Sequence, residues 1–534
     1  MDASHAKKPE RWGTRIGVIL AVTGGAVGLG NFLRFPGLAA KYEGGAFMIP
    51  YFTALLVLGF PLAWAEWALG RYGGSRGFNS GPGIFRTIWR TRTSAYFGTL
   101  VLIVPVLVYM YYVFIEAWCL GYAWYTAFGA LDLGPEKGAY VDFFAEFTGS
   151  GGNGSLFSAA GAPTLAFLAL CFAANLGLIY RGLSKGIEWF CRWAMPALVI
   201  CALVVLVRVL TLGTPDPVRP ELSLDAGLGF MWNPSTQHVG FLESLANPQM
   251  WMEAAGQIFF SVAIGFGIII TYASYLKPRD DIALSGLTSV AGNEFCEVAL
   301  GGMITIPAAF VFLGREEVLR SAGSTFDLGF KTLPMIFHAM PLGRLVGTLF
   351  FFLLFLAAIT STVAMLQPAI ALFEEGLGMN RRQSVTLLGL LTLVGVGFVV
   401  FFSGDMAALN TIDFWVGTFA IYVLATFQAI LFGWVLGVGR GMEELRRGAE
   451  IRVPRFLGFV LKYVSPTYLL GIFGLWIHQQ ATEKDNAFRE IATNGAVRGA
   501  AVFIVGMGLL LLGLVHLSVR RWERREQQAK EIAP

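Results

Sequence analysis

The run Gly24-Gly25-Ala26-Val27-Gly28-Leu29-Gly30-Asn31-Phe32-Leu33-Arg34-Phe35-Pro36 lies inside an apolar stretch at 16–40. No continuous membrane helix places so many helix-breaking residues at its own middle. The pattern predicts a helix opened at bilayer depth. Opened backbone leaves carbonyls and amides without partners, which hydrocarbon does not supply, so these groups must line a protein cavity or hold a small charged solute or cation.

The chain's 534 residues are 55% hydrophobic and 14% charged, far from a soluble globular composition. Apolar runs long enough to span recur at about 16–40, 46–69, 97–126, 163–180, 193–213, 250–276, 284–313, 345–373, 384–402, 409–437, 456–478 and 497–518, which predicts twelve transmembrane helices in an all-α polytopic membrane protein. Of the 39 Lys and Arg residues, 27 fall in 1–15, 71–92, 181–192, 277–279, 381–382, 440–462 and 520–530. These alternate connections share a side with both termini, which places the termini in the cytoplasm by the positive-inside rule. Residues 1–12 are polar and charged, so no signal peptide is expected and the first span stays. Cys119, Cys171, Cys191, Cys201 and Cys296 sit in or beside spans without disulfide or zinc spacing, as packing residues do.

Ala26-Val27-Gly28-Leu29-Gly30 in the first span and Ala263-Ile264-Gly265-Phe266-Gly267 in the sixth repeat one small-apolar-Gly-large-Gly pattern. Five spans separate the copies, so the second enters the membrane from the opposite face. That is an inverted repeat, and paired glycine-interrupted spans at matching positions point to a binding site. The expected organisation is a first repeat over 1–213, a second over 214–437 and a peripheral pair with the C-terminus over 438–534. Glycines that merely allow close helix packing are the plainer reading of either segment alone.

Charged residues inside spans are costly, at about 2.5 kcal/mol or more each, and mark function. Here they are Glu66, Glu116, Glu294, Glu297 and Asp413, with Arg34 as the main base. Glu66 and Glu116 suit either a structural role, taking hydrogen bonds from opened backbone, or pairing across helices. Arg34 and Asp413 lie toward the same outer ends of their spans and suit a pair there. In the eighth span Ala357, Thr360 and Ser361 fall at i, i+3 and i+4, so one carbonyl and two hydroxyls share a face. Hard cations such as sodium take oxygen ligands of this kind, although Ser and Thr also bond back to their own helix.

Gly28 to Pro36, Gly256-Gln257-Ile258-Phe259-Phe260, Gly265-Phe266-Gly267, Asn293-Glu294, Thr360-Ser361 and Asp413-Phe414-Trp415 together resemble the neurotransmitter:sodium symporter family over essentially the whole chain. The resemblance implies a LeuT-type five-plus-five inverted repeat with broken first and sixth helices. It implies two sodium ions: the first at the carbonyl of Ala26, the amides of Asn31 and Asn293, Ser261 and the substrate carboxylate; the second at the carbonyls of Gly24, Val27 and Ala357 and the hydroxyls of Thr360 and Ser361. The substrate carboxylate is expected at the amides of Leu29 and Gly30 with the Tyr112 hydroxyl, and its ammonium at the carbonyls of Ala26, Phe260 and Ser261. Its side chain is expected among Val108, Phe260, Ala263, Phe266, Ser361 and Met365. Gly28 favours an amino acid over an amine, because relatives that carry amines resemble this chain but have Asp there.

Glu297 falls where chloride-dependent relatives have Ser, which implies chloride independence. Arg34, Asp413, Tyr112 and Phe260 are expected to close the outside; Trp12, Ser274, Tyr275, Gln367 and Glu375 are expected to close the inside. Pro9 stands where a base is expected, with Lys8 or Arg11 as substitutes. Gly25, Ala263, Met365 and Asn410 also depart from the nearest pattern, and a flexible Met adapts to varied ligands.

The expectation is sodium-coupled uptake of a neutral, mainly hydrophobic amino acid in a plasma (inner) membrane, with lipid around the chain and no nucleic-acid partner. The last two spans leave room for a homodimer contact. The alternative is an amino-acid receptor or ligand-gated channel on the same scaffold, which uphill uptake separates from a symporter. An enzyme is disfavoured. Gly182-Leu183-Ser184-Lys185-Gly186 matches a hydrolase G-x-S-x-G spacing but lies between helices, and His5, His238, His338, His478 and His516 are scattered.

Overall fold

The structure, a computed structural model, describes residues 10–42, 44–234, 240–482 and 486–532, and no β-strand occurs among them. His5 and His238 lie outside the described residues. The first expected span is two helices, α1a (Arg15–Ala26) and α1b (Gly30–Lys41), bent by 52° at the break. Continuous spans follow as α2 (Gly45–Gly74), α3 (Arg92–Ala127), α4 (Ala159–Tyr180) and α5 (Leu183–Leu210). The sixth span is also divided, into α6a (Pro248–Ser261) and α6b (Ile268–Ser274). The remaining spans are α7 (Ile282–Ser321), α8 (Gly343–Glu375), α9 (Arg381–Phe401), α10 (Gly404–Arg446), α11 (Leu457–Thr482) and α12 (Gly495–Gln528). Among the described residues ten helices are therefore long and apolar enough to cross, and two expected spans are pairs of halves, each too short to cross alone.

The breaks follow from the residues. Val27 leaves the helix at ψ 108°, after its N–H has closed the last turn of α1a on the Thr23 carbonyl at 2.7 Å. Helix α1b begins with a wide i→i+5 turn over Gly30–Arg34, and Pro36 sits just after it, where a missing N–H costs little. The α6 linker turns through left-handed backbone at Ala263 (φ 57°), Gly265 (φ 77°) and Gly267 (φ 77°). At Gly265 a Cβ would stand 2.4 Å from the Ile421 carbonyl oxygen of α10, so only glycine allows that approach.

Helices α3 and α8 form the centre: their apolar stretches are 89% and 83% buried, against 22% to 33% for α4, α5, α11 and α12, which present their sides to lipid. Both structural readings of the intramembrane acids find a place. Glu66 accepts the Gly265 N–H at 2.7 Å, so a carboxylate on α2 caps opened backbone. Glu116 on α3 joins neighbouring helices, accepting from Asn175 of α4 at 3.0 Å and from Thr362 of α8 at 2.7 Å. The cysteines are free thiols, all buried except half-buried Cys201.

Gly265→Ala is expected to cost about 1–3 kcal/mol through left-handed strain and the clash with Ile421. A lowered Tm of the purified protein checks this, with Gly471→Ala in open space on α11 as the unaffected control.

Candidate functional site

Asn31, in the first turn of α1b, is fully buried and works in both directions. Its Oδ1 accepts the Gly28 N–H at 2.8 Å, and its Nδ2 donates to Asn293 Oδ1 at 2.9 Å and Glu297 Oε2 at 3.0 Å. Asn293 Nδ2 donates to Ser261 Oγ at 2.7 Å, and the Ser261 hydroxyl donates to the Glu297 carboxylate. Asn293 and Glu297 reach the same point because they lie four residues apart on α7. Ala26 is the last residue of α1a, where a carbonyl has no partner within its helix. The structure thus brings together Asn31, Ser261, Asn293 and Glu297 from three separate helices beside the α1 break. Sequence reasoning missed Gln257, whose Nε2 donates to Glu297 Oε1 at 2.7 Å. Its place four residues before Ser261 on α6a was the available signal.

The second cluster forms where the α1 break meets α8. Ser361 Oγ lies 3.3 Å from the Gly24 carbonyl oxygen, 3.2 Å from that of Val27 and 3.0 Å from that of Ala357. Thr360 Oγ1 adds contacts of 3.0 Å to the Leu356 carbonyl and 3.1 Å to that of Ala357. The Ser361 hydroxyl has one proton to give, so it cannot satisfy the Gly24 and Val27 carbonyls of the break together with that of Ala357. That surplus of neutral oxygen acceptors is what a hard monovalent cation requires.

Between the clusters the backbone passes very close to side chains. A Cβ at Gly28 would stand 2.6 Å from the Tyr112 hydroxyl, and one at Gly30 would stand 2.8 Å from the Phe260 ring. The Tyr112 oxygen accepts the Leu29 N–H at 2.9 Å, which leaves the phenolic proton free to donate. The amides at the start of α1b form a small anion-binding end. Around them Val108, Ala263, Phe266 and Met365 are buried, and the Phe260 ring meets Phe266 edge-on at 6.0 Å. The pocket thus sets a phenolic donor beside an apolar lining.

The family described as the Sodium:neurotransmitter symporter family is matched over residues 9–132 and 146–518. The chain belongs to that family. It is 27% identical to an uncharacterized sodium-dependent transporter of Methanocaldococcus jannaschii, over 87% of this chain and 89% of that one. It is also 27% identical to the human sodium- and chloride-dependent GABA transporter 2, over 86% of this chain and 79% of the relative. Among solved structures, MhsT in complex with L-phenylalanine superposes with a TM-score of 0.72 at 25% identity, covering 87% of this chain and 99% of that chain. The protein is therefore a sodium-dependent, multi-pass membrane transporter of LeuT-type fold and not an enzyme.

The expected outer pair is not joined. The Arg34 guanidinium stands over the Phe260 ring at 4.7 Å, and Asp413 Oδ1 accepts from Tyr111 at 2.5 Å. A neighbouring tyrosine one residue before Tyr112 takes the carboxylate, and an aromatic face takes the cation. At the face carrying the termini, the Trp12 indole donates to the Tyr272 carbonyl at 2.9 Å, and Gln367 Nε2 donates to the Tyr275 hydroxyl at 3.0 Å. Ser274 is turned back on its own helix, donating to the Thr271 carbonyl at 2.6 Å. Among the described residues Glu375 accepts from the Asn79 and Ser80 amides at 2.5 and 2.9 Å, fixing the α2–α3 connection. Lys8 and Pro9 lie outside the described residues, and Arg11 is exposed.

Ser361→Ala removes the hydroxyl at the centre of the second cluster. It is expected to weaken sodium binding about tenfold, the equivalent of one hydrogen-bond-sized loss. A shift of the sodium dependence of Tm to higher concentration measures it.

Proposed function

We propose that the chain is a symporter that couples sodium entry to uptake of a neutral, mainly hydrophobic amino acid by alternating access. Two sodium ions fit the two clusters, the first sharing the substrate's carboxylate and the second tying α1 to α8. The observation that carries the reading is the junction at Ser361, whose hydroxyl lies within 3.3 Å of three carbonyls of the second cluster while its side chain also borders Gly28 in the substrate pocket. Ion and substrate then stabilise the same closed arrangement, and coupling is a shared preference for one conformation. The phenylalanine bound to MhsT accords with an apolar amino acid, and Gly28 leaves no carboxylate to hold a bare amine.

Glu297 supports chloride independence. Its buried carboxylate supplies the negative charge beside the first ion that a chloride would otherwise bring. The Lys- and Arg-rich connections on one side of the chain support cytoplasmic termini and a plasma (inner) membrane location. At 100 mV each net sodium charge contributes about 2.3 kcal/mol, or roughly 50-fold accumulation.

Proteoliposomes with an inward sodium gradient are expected to accumulate labelled leucine above equilibrium in chloride-free buffer, with apolar amino acids competing. Sodium-dependent binding without accumulation would instead identify a receptor or channel. Glu297→Ser is expected to lose most uptake without chloride and to regain it when chloride is added; uptake of the unaltered protein that needs chloride would refute this part of the reading.

A further inference from the structure

One stripe of α12 faces away from the rest of the protein. Val502, Val505, Leu509 and Leu517 recur along it at helical spacing, each 55% to 68% exposed. The next residues on the same stripe are Arg520 and Arg524, both exposed. At 1.5 Å per residue they stand about 5 and 10 Å beyond Leu517. That is the depth of a headgroup layer next to an acyl-facing surface, and long basic side chains reach back to its phosphates.

The acids of this segment are turned elsewhere. Glu523 pairs with Arg92 at the start of α3, and Glu526 pairs with Arg86 of the α2–α3 connection at 2.9 Å. Trp522 packs edge-on against Phe78 of the same connection, with ring centroids 5.6 Å apart. Arg521 lies against Gly378 of the α8–α9 connection. These contacts fix the rotation of α12, so its outward side keeps only positive charge at this level. Among the described residues neither Arg520 nor Arg524 forms an ion pair.

A second copy of the chain is a poor cover for this stripe. A twofold contact along it would set Arg520 and Arg524 against their own counterparts, like charge on like charge. A lipid with an anionic headgroup meets both halves of the stripe at once. We propose that Arg520 and Arg524 form a headgroup site for an anionic phospholipid, whose phosphodiester takes both guanidinium groups while an acyl chain lies along Val502 to Leu517. Guanidinium groups at i and i+4 share one face of the helix, and each offers a fork of donors to phosphate oxygens. The site asks nothing of sodium or substrate, so it stands or falls apart from the symport reading.

The test is native mass spectrometry of the full purified chain in detergent micelles doped with equal phosphatidylglycerol and phosphatidylcholine. The chain is expected to retain phosphatidylglycerol in preference. Arg520→Gln with Arg524→Gln is expected to lower that retention about tenfold or more, as the loss of two basic groups at a membrane surface implies. Each single variant should lose part of it, so the test survives a pair that fails to fold. Arg455→Gln, exposed on the α10–α11 connection at the same face and off the stripe, should retain the lipid fully. An equal loss there would reduce the site to general surface charge and overturn it. Excess inorganic phosphate should leave retention unchanged; displacement by it would show a soluble-anion site and overturn the lipid assignment. A dimer that persists without phosphatidylglycerol and is lost in the paired variant would make the stripe an interface between copies, which also overturns it.

Discussion

Everything at the centre of this protein depends on what becomes of backbone groups released by two broken helices at bilayer depth. The amides are answered by the protein: Glu66 takes the Gly265 N–H, Asn31 takes that of Gly28 and Tyr112 takes that of Leu29. The carbonyls are not answered equally. Those of Gly24 and Val27 face one serine hydroxyl of α8, whose single proton is shared with the Ala357 carbonyl of its own helix. An interior with donors paired and acceptors in excess is electronegative without carrying full charge, and a weakly held monovalent cation is the solute that suits it. On the proposed reading, the breaks would supply the ion's ligands and the hinge together.

The two clusters also divide the helices in a mechanically useful way. The first joins α1b, α6a and α7; the second joins the α1 break to α8, whose interior is among the most buried in the chain. Each cluster therefore spans a broken element and an unbroken one. Filling it penalises conformations in which those elements separate, by an amount limited to the ion's preference for the joined state. Tyr112 adds a substrate-sensitive part. Its oxygen occupies the Leu29 amide, so a carboxylate arriving at the start of α1b would meet the phenol's free proton first and reach that amide only by displacing the tyrosine.

Much of this was legible in the sequence because glycine, proline and buried carboxylates have few bland uses inside a membrane. The run from Gly24 to Pro36 marked the first break, and the α8 spacing of Ala357, Thr360 and Ser361 marked a cluster before any partner was known. What the sequence hid were choices between neighbours distant along the chain. Asp413 goes to Tyr111 while Arg34 takes the Phe260 ring, because an adjacent tyrosine on α3 reaches the carboxylate first. Glu375 looked like a gate residue by position, yet two free amides at the start of a short helix claim it. The sixth span, an apolar run over 250–276, repeats the first pattern, and the break expected there was legible. The structure leaves only α6a and α6b as helix there.

Glu297 shows why sodium and fold are inseparable in such a site. Its hydrogen-bond partners Asn31, Gln257 and Ser261 are all neutral, so no protein cation neutralises it directly. Hydrogen bonds from amides and a hydroxyl offset part of the desolvation cost of a buried carboxylate, but that cost amounts to several kcal/mol. On the proposed symport reading, a cation beside Asn31, Asn293 and Ala26 would offset the remainder. The charge is then least costly when the ion is bound and the three helices are together, and most costly when they are together without it. A carboxylate placed there penalises the empty closed state, which is the state a coupled transporter must avoid if sodium is not to be bypassed.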